Sequence, residues 1–275
     1  FSVSMMCELF EVNRSDYYKY LKQPVSERKK KDEILESKIR IIHNKSNKIY
    51  GSPRIHAELK DDGERVSRKR VARIMKDNKI VSITKKRFKA TTNSKHSFPL
   101  CPNLLGQDFS SQKTDQKWVS DITYIPTDEG WLYLASVIDL CSRQIVGWAV
   151  SERMTTDLIE KAFLSAYWKR KPEDNLIFHS DRGSKYASHR FQRLLKVLRV
   201  QQSMSGKGNC YDNALTESFF GKIKTEFVNH QKFISREEAK SGIFEYIEIF
   251  YNRERRHSSL NYLSPVQFEL LMNVS

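Results

Sequence analysis

Three acids in this 275-residue chain stand where chemistry could use them: Asp121 in "WVSDITYIP", Asp181 in "NLIFHSDRGSKY" and Glu217 in "NALTESFFGKIKTE". Asp121 falls inside a β-prone run with Val119 and Thr123 on its own face, and an ionisable side chain within a core strand is costly unless it lies on a rim or binds something. Asp181 ends a short apolar run where a strand should give way to a turn, and Glu217 comes 36 positions later on a helical stretch. Lys224 shares that helix face, about 10 Å further along the axis. Carboxylates are the ligands of hard cations such as Mg²⁺, which keeps its other positions for water or phosphate oxygens. Two such ions about 4 Å apart clamp the attacking and leaving oxygens of an in-line phosphoryl displacement. Taken singly, each acid also fits an ordinary role: Asp121 as a hydrogen-bonded strand residue, Asp181 as a turn former, Glu217 as a solvated helix residue. Asp139, before "LCSR", reads as a turn initiator.

The elements around these acids have to bring them together. "WVSDITYIP", "WLYLASVIDL" and "QIVGWAV" are three β-prone runs joined at "TDEG" and "CSR", which predicts an antiparallel meander. A helix over "TTDLIEKAFLSAYWKRK", a strand at "NLIFHS", a helix at "SHRFQRLLKVLRV", a short strand at "QQSM" and a helix over "YDNALTESFFGKIKTEF" come next. The fold class expected is α/β, a mixed five-stranded sheet with helices on both faces. Asp181 should lie beside the first strand, because the crossover through the intervening helix returns the chain to the sheet. Ser235 and Glu238 make a capping box for a further helix, and Ser264, Pro265 and Gln267 start a last one.

Upstream the character is different. Residues 1–117 carry 27 Lys and Arg against 14 acids, whereas residues 118–275 carry 21 against 19, so the net charge of +15 sits in the N-terminal part. Between 65 and 89, 11 basic residues face one acid, Asp77. That is the footprint of a polyphosphate partner. The opening "MCELFEVNRSDYYKYLK" reads as two short helices, the second capped by Ser15, and "SERKKKDEILESKIRIIHN" as a longer one. "SPRIHAEL", a turn at "KDDGERV" and a helix "RKRVARIMKDN" capped by Ser67 outline a helix-turn-helix, with Val71, Ile74 and Met75 inward and Arg68, Lys69, Arg70 and Arg73 outward. Lys85, Lys86 and Arg87 extend the basic surface. The domains expected are an N-terminal helical segment (1–24), an all-α helix-turn-helix DNA-binding domain (25–92), a linker (93–117), a catalytic core (118–230) and a C-terminal helical extension (231–275).

Cys7, Cys101, Cys141 and Cys210 are too scattered for a zinc site or a disulfide framework. No run of 18 apolar residues and no signal-peptide pattern occurs, so the expectation is a cytoplasmic protein with no membrane partner.

"WVSDITYI", "YLASVIDLCSRQIVGW", "HSDRGSKY", "GNCYDNALTESFFGKIKTE" and "FYNRERRHSSLNYLSPVQFE", in order, resemble the catalytic subunit of insertion-sequence transposases of the IS-three type, and "YGSPRI" with "GERVSRKRVARIMK" resembles their helix-turn-helix. The resemblance runs from Trp118 to Glu269 and implies a retroviral-integrase-like core of RNase H-like fold. It implies Asp121, Asp181 and Glu217 as catalytic residues and ligands of two Mg²⁺ ions, with Mn²⁺ able to substitute, and Lys224 as a contact to transposon-end DNA. The reaction implied is cleavage at a transposon end by water to give a 3′-OH, then attack of that hydroxyl on another phosphodiester, through a circular intermediate before insertion. The partners implied are terminal inverted repeats and target DNA, a homodimer or higher synaptic oligomer, and an upstream helix-turn-helix protein as fusion or helper, all at the bacterial nucleoid. Two other readings stay open on the same fold: a catalytically silent DNA-binding repressor or accessory protein, and a structure-specific nuclease.

Overall fold

The computed structural model describes residues 1–22, 26–83, 100–106, 108–206 and 214–272. Lys85, Lys86, Arg87, Cys210 and the first part of the 93–117 linker lie outside the described residues. The chain divides into two compact units, Phe1–Ser82 and Ile83–Ser275.

The first unit is helical: α1 (Val3–Leu9), α2 (Arg14–Leu21), α3 (Glu27–Lys45), α4 (Ser52–Asp61) and α5 (Arg68–Asp77). α2 is preceded by Asn13, not by Ser15, which falls inside its first turn. The reason lies in how α1 ends. Glu11 adopts a left-handed φ of 52°, and the amides of Glu11 and Val12 donate to the carbonyls of Glu8 and Cys7, so the chain has turned within two residues and α2 begins early. Ser67 caps α5 by accepting from the Arg70 amide, and Leu35, Ile39, Ile55, Leu59, Val71, Ile74 and Met75 are buried. Asp32 on α3 takes Arg70 at 2.7 Å and also Arg73, which hold its carboxyl below the usual range, Arg73 more than Arg70. Two of the four α5 cations assigned to DNA from the sequence are thus already engaged, while Arg68 and Lys69 are exposed.

The second unit is built on a sheet of order β3-β2-β1-β4-β5, from β1 (Lys117–Thr127), β2 (Gly130–Asp139), β3 (Ile145–Ser151), β4 (Ile177–Ser180) and β5 (Gln201–Met204). β1, β2 and β3 form the antiparallel meander, and β4 and β5 add in parallel. α6 (Thr156–Arg170) and α7 (His189–Val197) cover one face, where Trp118, Val137, Phe163, Phe178 and Phe191 are buried. α8 (Ala214–Glu226) and α9 (Arg236–Phe244), which runs on as π-helical turns over Glu245–Glu254, cover the other, burying Val119, Ile125, Leu134, Phe219, Ile223 and Ile247. The last helix is α10 (Pro265–Met272). The C-terminal helices are therefore part of the core layer.

The caps explain the helix starts. Ser264 and Gln267 exchange side-chain bonds to each other's amides, and Ser235 accepts from Glu238, whose own carboxylate takes the Ile234 amide one residue further back than a reciprocal box would. Asp139 is the turn initiator expected, accepting from the amides of Cys141 and Ser142, and a further bond from the Asp115 amide ties the segment before β1 to this turn. Burial pushes the Asp139 carboxyl up, against those donors.

Two positions should be intolerant. A Cβ on Gly147 of β3 would stand 2.5 Å from the Ala162 carbonyl of α6, so Gly147→Ala should cost about 1–3 kcal/mol of overpacking. Arg255, 2% exposed, is paired at 2.8 Å with Glu226 at the end of α8, and Arg255→Leu should cost about 3–5 kcal/mol by removing the cation from a buried carboxylate. Urea unfolding of each variant measures both, and wild-type stability in either would contradict the packing described.

Candidate active site

The site begins with strand register. β4 runs parallel to β1 over four pairs, the last being Ser120 with Ser180, so the next residue on each strand is Asp121 and Asp181. Asp121, still paired with Ser136 of β2, and Asp181, the first residue past β4, follow the last β1–β4 pair, and β1 continues to Thr127 without β4 beside it. Both are half-buried.

Local bonds aim each carboxylate. Asp181 Oδ1 accepts from the Gly183 amide at 2.9 Å, the turn that the aspartate and glycine of "SDRG" suggest. A Cβ at 183 would meet that same oxygen at 2.9 Å, so a larger residue there would push the carboxylate off its present position. Arg182 Nε donates to the Ser205 carbonyl, tying the turn to the end of β5. Asp121 Oδ1 accepts from the Ile122 amide at 2.7 Å.

Beneath the pair lies a residue that motif and spacing did not single out. The Tyr186 hydroxyl is buried and shares a 2.8 Å hydrogen bond with Ser120 Oγ, while Gln202 of β5 donates to its carbonyl. Burial raises the phenol well above its ordinary pKa, and the charges of Asp121 and Asp181 raise it further against the Ser120 bond. Both carboxylates therefore act on one buried hydroxyl. Its only signal in the sequence was its place five residues after Asp181.

Glu217 sits exposed in the first turn of α8, directly after residues 207–213, which lie outside the described residues and include Asn213 of the expected helix. Lys224, two turns on, is half-buried with its ammonium 4.6 Å from the centroid of the Tyr124 ring. Burial lowers its pKa, and the charge of Asp121 opposes the shift. So the structure brings Asp121, Asp181 and Lys224 into one neighbourhood at the edge of the sheet. Among the described residues no three His, Cys, Asp or Glu side chains form a closed cluster fit for a metal, so Glu217 is not drawn in with the two aspartates. The donor set of the aspartate pair, carboxylate oxygens at an open edge, is nevertheless of the kind that hard divalent cations prefer. No described helix is long and apolar enough to cross a membrane.

Comparison with known proteins agrees with this architecture. Residues 111–210 and 217–270 each match a family described as Integrase core domain, and residues 29–88 match the HTH-like domain. The chain is 46% identical over 263 residues to the insertion element IS600 uncharacterized 31 kDa protein of Shigella sonnei, covering 96% of this chain and 97% of that one. It is 42% identical over 271 residues to the transposase InsF for insertion sequence IS3A of Escherichia coli K12, covering 98% and 94%. Among solved structures, the simian T-cell lymphotropic virus intasome matches at a TM-score of 0.48 and 15% identity over 84% of this chain and 74% of the other. The HTLV-2 integrase catalytic core domain in complex with magnesium matches at 0.46 and 15%, over 58% and 99%. With near full-length identity to InsF added to an integrase core behind a helix-turn-helix, the chain belongs to the IS3 family of insertion-sequence transposases.

Proposed function

We propose that the protein is a divalent-metal-dependent transposase that cuts DNA at the ends of an insertion sequence to free a 3′-OH and joins that hydroxyl to a new phosphodiester, with Asp121, Asp181 and Glu217 as the acidic triad. The observation that carries the reading is the register of β1 and β4, which sets the two aspartates side by side at the sheet edge. Glu217 would join from the first turn of α8, whose Phe219, Phe220 and Ile223 are buried with Val119 and Ile125 on that face of the sheet.

The carboxylates would hold Mg²⁺, two ions in the full complement with Mn²⁺ able to replace them. Bound there, the ions supply charge neutralisation at the phosphodiester and a water of lowered pKa. The protein's own residues do the rest. Asp121 and Asp181 are fixed in direction by the Ile122 and Gly183 amides. Lys224 offers a cation to the phosphate next to the reacting one. Water in the first step and the freed 3′-OH in the second are the nucleophiles, so no side chain has to form a bond to DNA. Arg68 and Lys69 of α5, with the basic stretch after it, hold the duplex. Joining two ends requires at least two copies of the chain, working on DNA in the bacterial cytoplasm.

Asp121→Asn, Asp181→Asn and Glu217→Gln should each reduce nicking and joining of a labelled end duplex in Mg²⁺ by more than about 100-fold, beyond the loss usual for residues that only orient metal ligands. End binding should persist and chelation should reproduce the loss in the wild type. Binding without nicking in the wild-type protein would leave the silent-repressor reading standing. A second measurement separates the cations of α5: Arg68→Ala and Lys69→Ala should each lower the salt slope of duplex binding by about 1. Arg70→Ala should chiefly loosen α3 from α5, because its guanidinium is already spent on Asp32. An unchanged slope in the first two would move the duplex contact off this helix.

A further inference from the structure

The tip of the β1–β2 hairpin carries an aromatic pair that neither the fold nor the acidic triad requires. Tyr124 lies opposite Tyr133 and Pro126 opposite Trp131, so Tyr124 and Trp131 are diagonal neighbours on one face of the hairpin. Their rings meet edge to face, 4.9 Å between centroids and 80° between planes. Yet Tyr124 is 41% and Trp131 50% exposed, while the opposite face of the same hairpin is closed by Ile125, Leu132 and Leu134. The hairpin is therefore secured from its other side, and two large aromatic groups stand in solvent. The Lys224 ammonium lies over the Tyr124 ring, and Asp121 is three residues back along the strand.

We infer that Tyr124 and Trp131, with Lys224 beside them, form a stacking subsite for an unpaired nucleotide of the DNA end being processed, an assignment that rests on the transposase reading above. The chemistry selects this ligand. An apolar protein surface laid on the two rings would strip water from the Lys224 ammonium and give nothing back, which is unfavourable. A nucleotide brings both chemistries: its base has a π-face for one of the two nearly perpendicular rings, and its phosphate has charge for the ammonium. An unpaired base suits the site better than one inside a duplex, where both faces are stacked on neighbouring pairs. Tyr124 is three residues from Asp121 along β1, ~10 Å at ~3.3 Å per residue and on the other face of the strand, so the subsite would hold a nucleotide about three base steps of ~3.4 Å from the reacting phosphodiester.

Photo-crosslinking reads the contact directly. A duplex with a short single-stranded overhang, substituted with 5-iodouracil at successive overhang positions, should crosslink to Tyr124 or Trp131 at one of them. Crosslinks confined to other residues would overturn the proposal. In parallel, Tyr124→Leu and Trp131→Leu should each weaken binding of a fluorescent oligothymidylate by at least about fivefold, the low end for loss of one base stack. Blunt-duplex binding should be unaltered and Tyr124→Phe should restore the wild-type value. Equal weakening on both probes, or none on either, would mean that the pair serves the hairpin alone. Asp121→Asn should crosslink as the wild type does. Failure of cleavage chemistry then bears on the acids, and failure of the crosslink bears on the rings.

Discussion

Four residues of parallel pairing between β1 and β4 are the constraint on which the site depends. Because Ser120 pairs with Ser180, the next residues of the two strands emerge at the same height, and both are aspartate. That register cannot slip. Trp118 and Val119 are both fully buried, one in the core under α6 and α7 and the other in the core under α8 and α9. Moving β1 by one position would exchange the two faces and drive Asp121 into an apolar layer. Hydrophobic packing on two faces therefore fixes where two charges appear. The Ser120 to Tyr186 hydrogen bond then ties the return segment after Asp181 back to the strand that carries Asp121.

A second set of polar contacts fastens the C-terminal helices to this frame. Arg255 and Glu226 are paired in the interior, with the Tyr246 hydroxyl donating to the same carboxylate. Arg170 of α6 binds Asp115 before β1 and Glu269 of α10 at once. Buried pairs of this kind add little net stability compared with apolar contacts, but removing one partner is costly. Their use here is positional. Glu226 ends the helix on whose first turn Glu217 stands, so the ion pair fixes the far end of that helix.

Much of this architecture was legible in the sequence because its signals are local. Strand alternation, the turn at "TDEG", the Ser264 and Gln267 cap and the helical stripe of α5 each rest on residues within one or two turns of one another. The aspartate pair was legible at one remove, through the rule that a crossover returns a parallel strand to its neighbour. What could not be read were partners far apart in the chain. Asp32 meets Arg70 across 38 positions, and Arg70 read as a DNA-facing base. Tyr186 meets Ser120 across 66. Tyr124 and Trp131 passed as strand formers, since nothing in the alternation distinguishes a side chain that covers a core from one left in solvent. The cap of α2 failed for a different reason: a left-handed Glu11, at a residue type that rarely takes that conformation, ended α1 more tightly than composition suggests.

The distribution of charge along the sequence separates the first 117 residues from the rest. Residues 118–275 carry a net charge of only +2, and the acids at the edge of the sheet repel phosphate. Such a stretch has little long-range attraction for a polyanion. The first 117 residues, at +13, have the field that gathers DNA, and its strength will fall steeply with salt because it works by displacing counterions from the duplex. Contacts made at the sheet edge need not obey the same dependence. Stacking on an aromatic face is short-ranged and indifferent to ionic strength, and coordination of a phosphodiester begins only when the strand is already within reach. Capture and chemistry would then answer to different physical forces, one screened within a Debye length of about 10 Å and one confined to contact, so an end held loosely by the basic helices can still be placed accurately by the sheet.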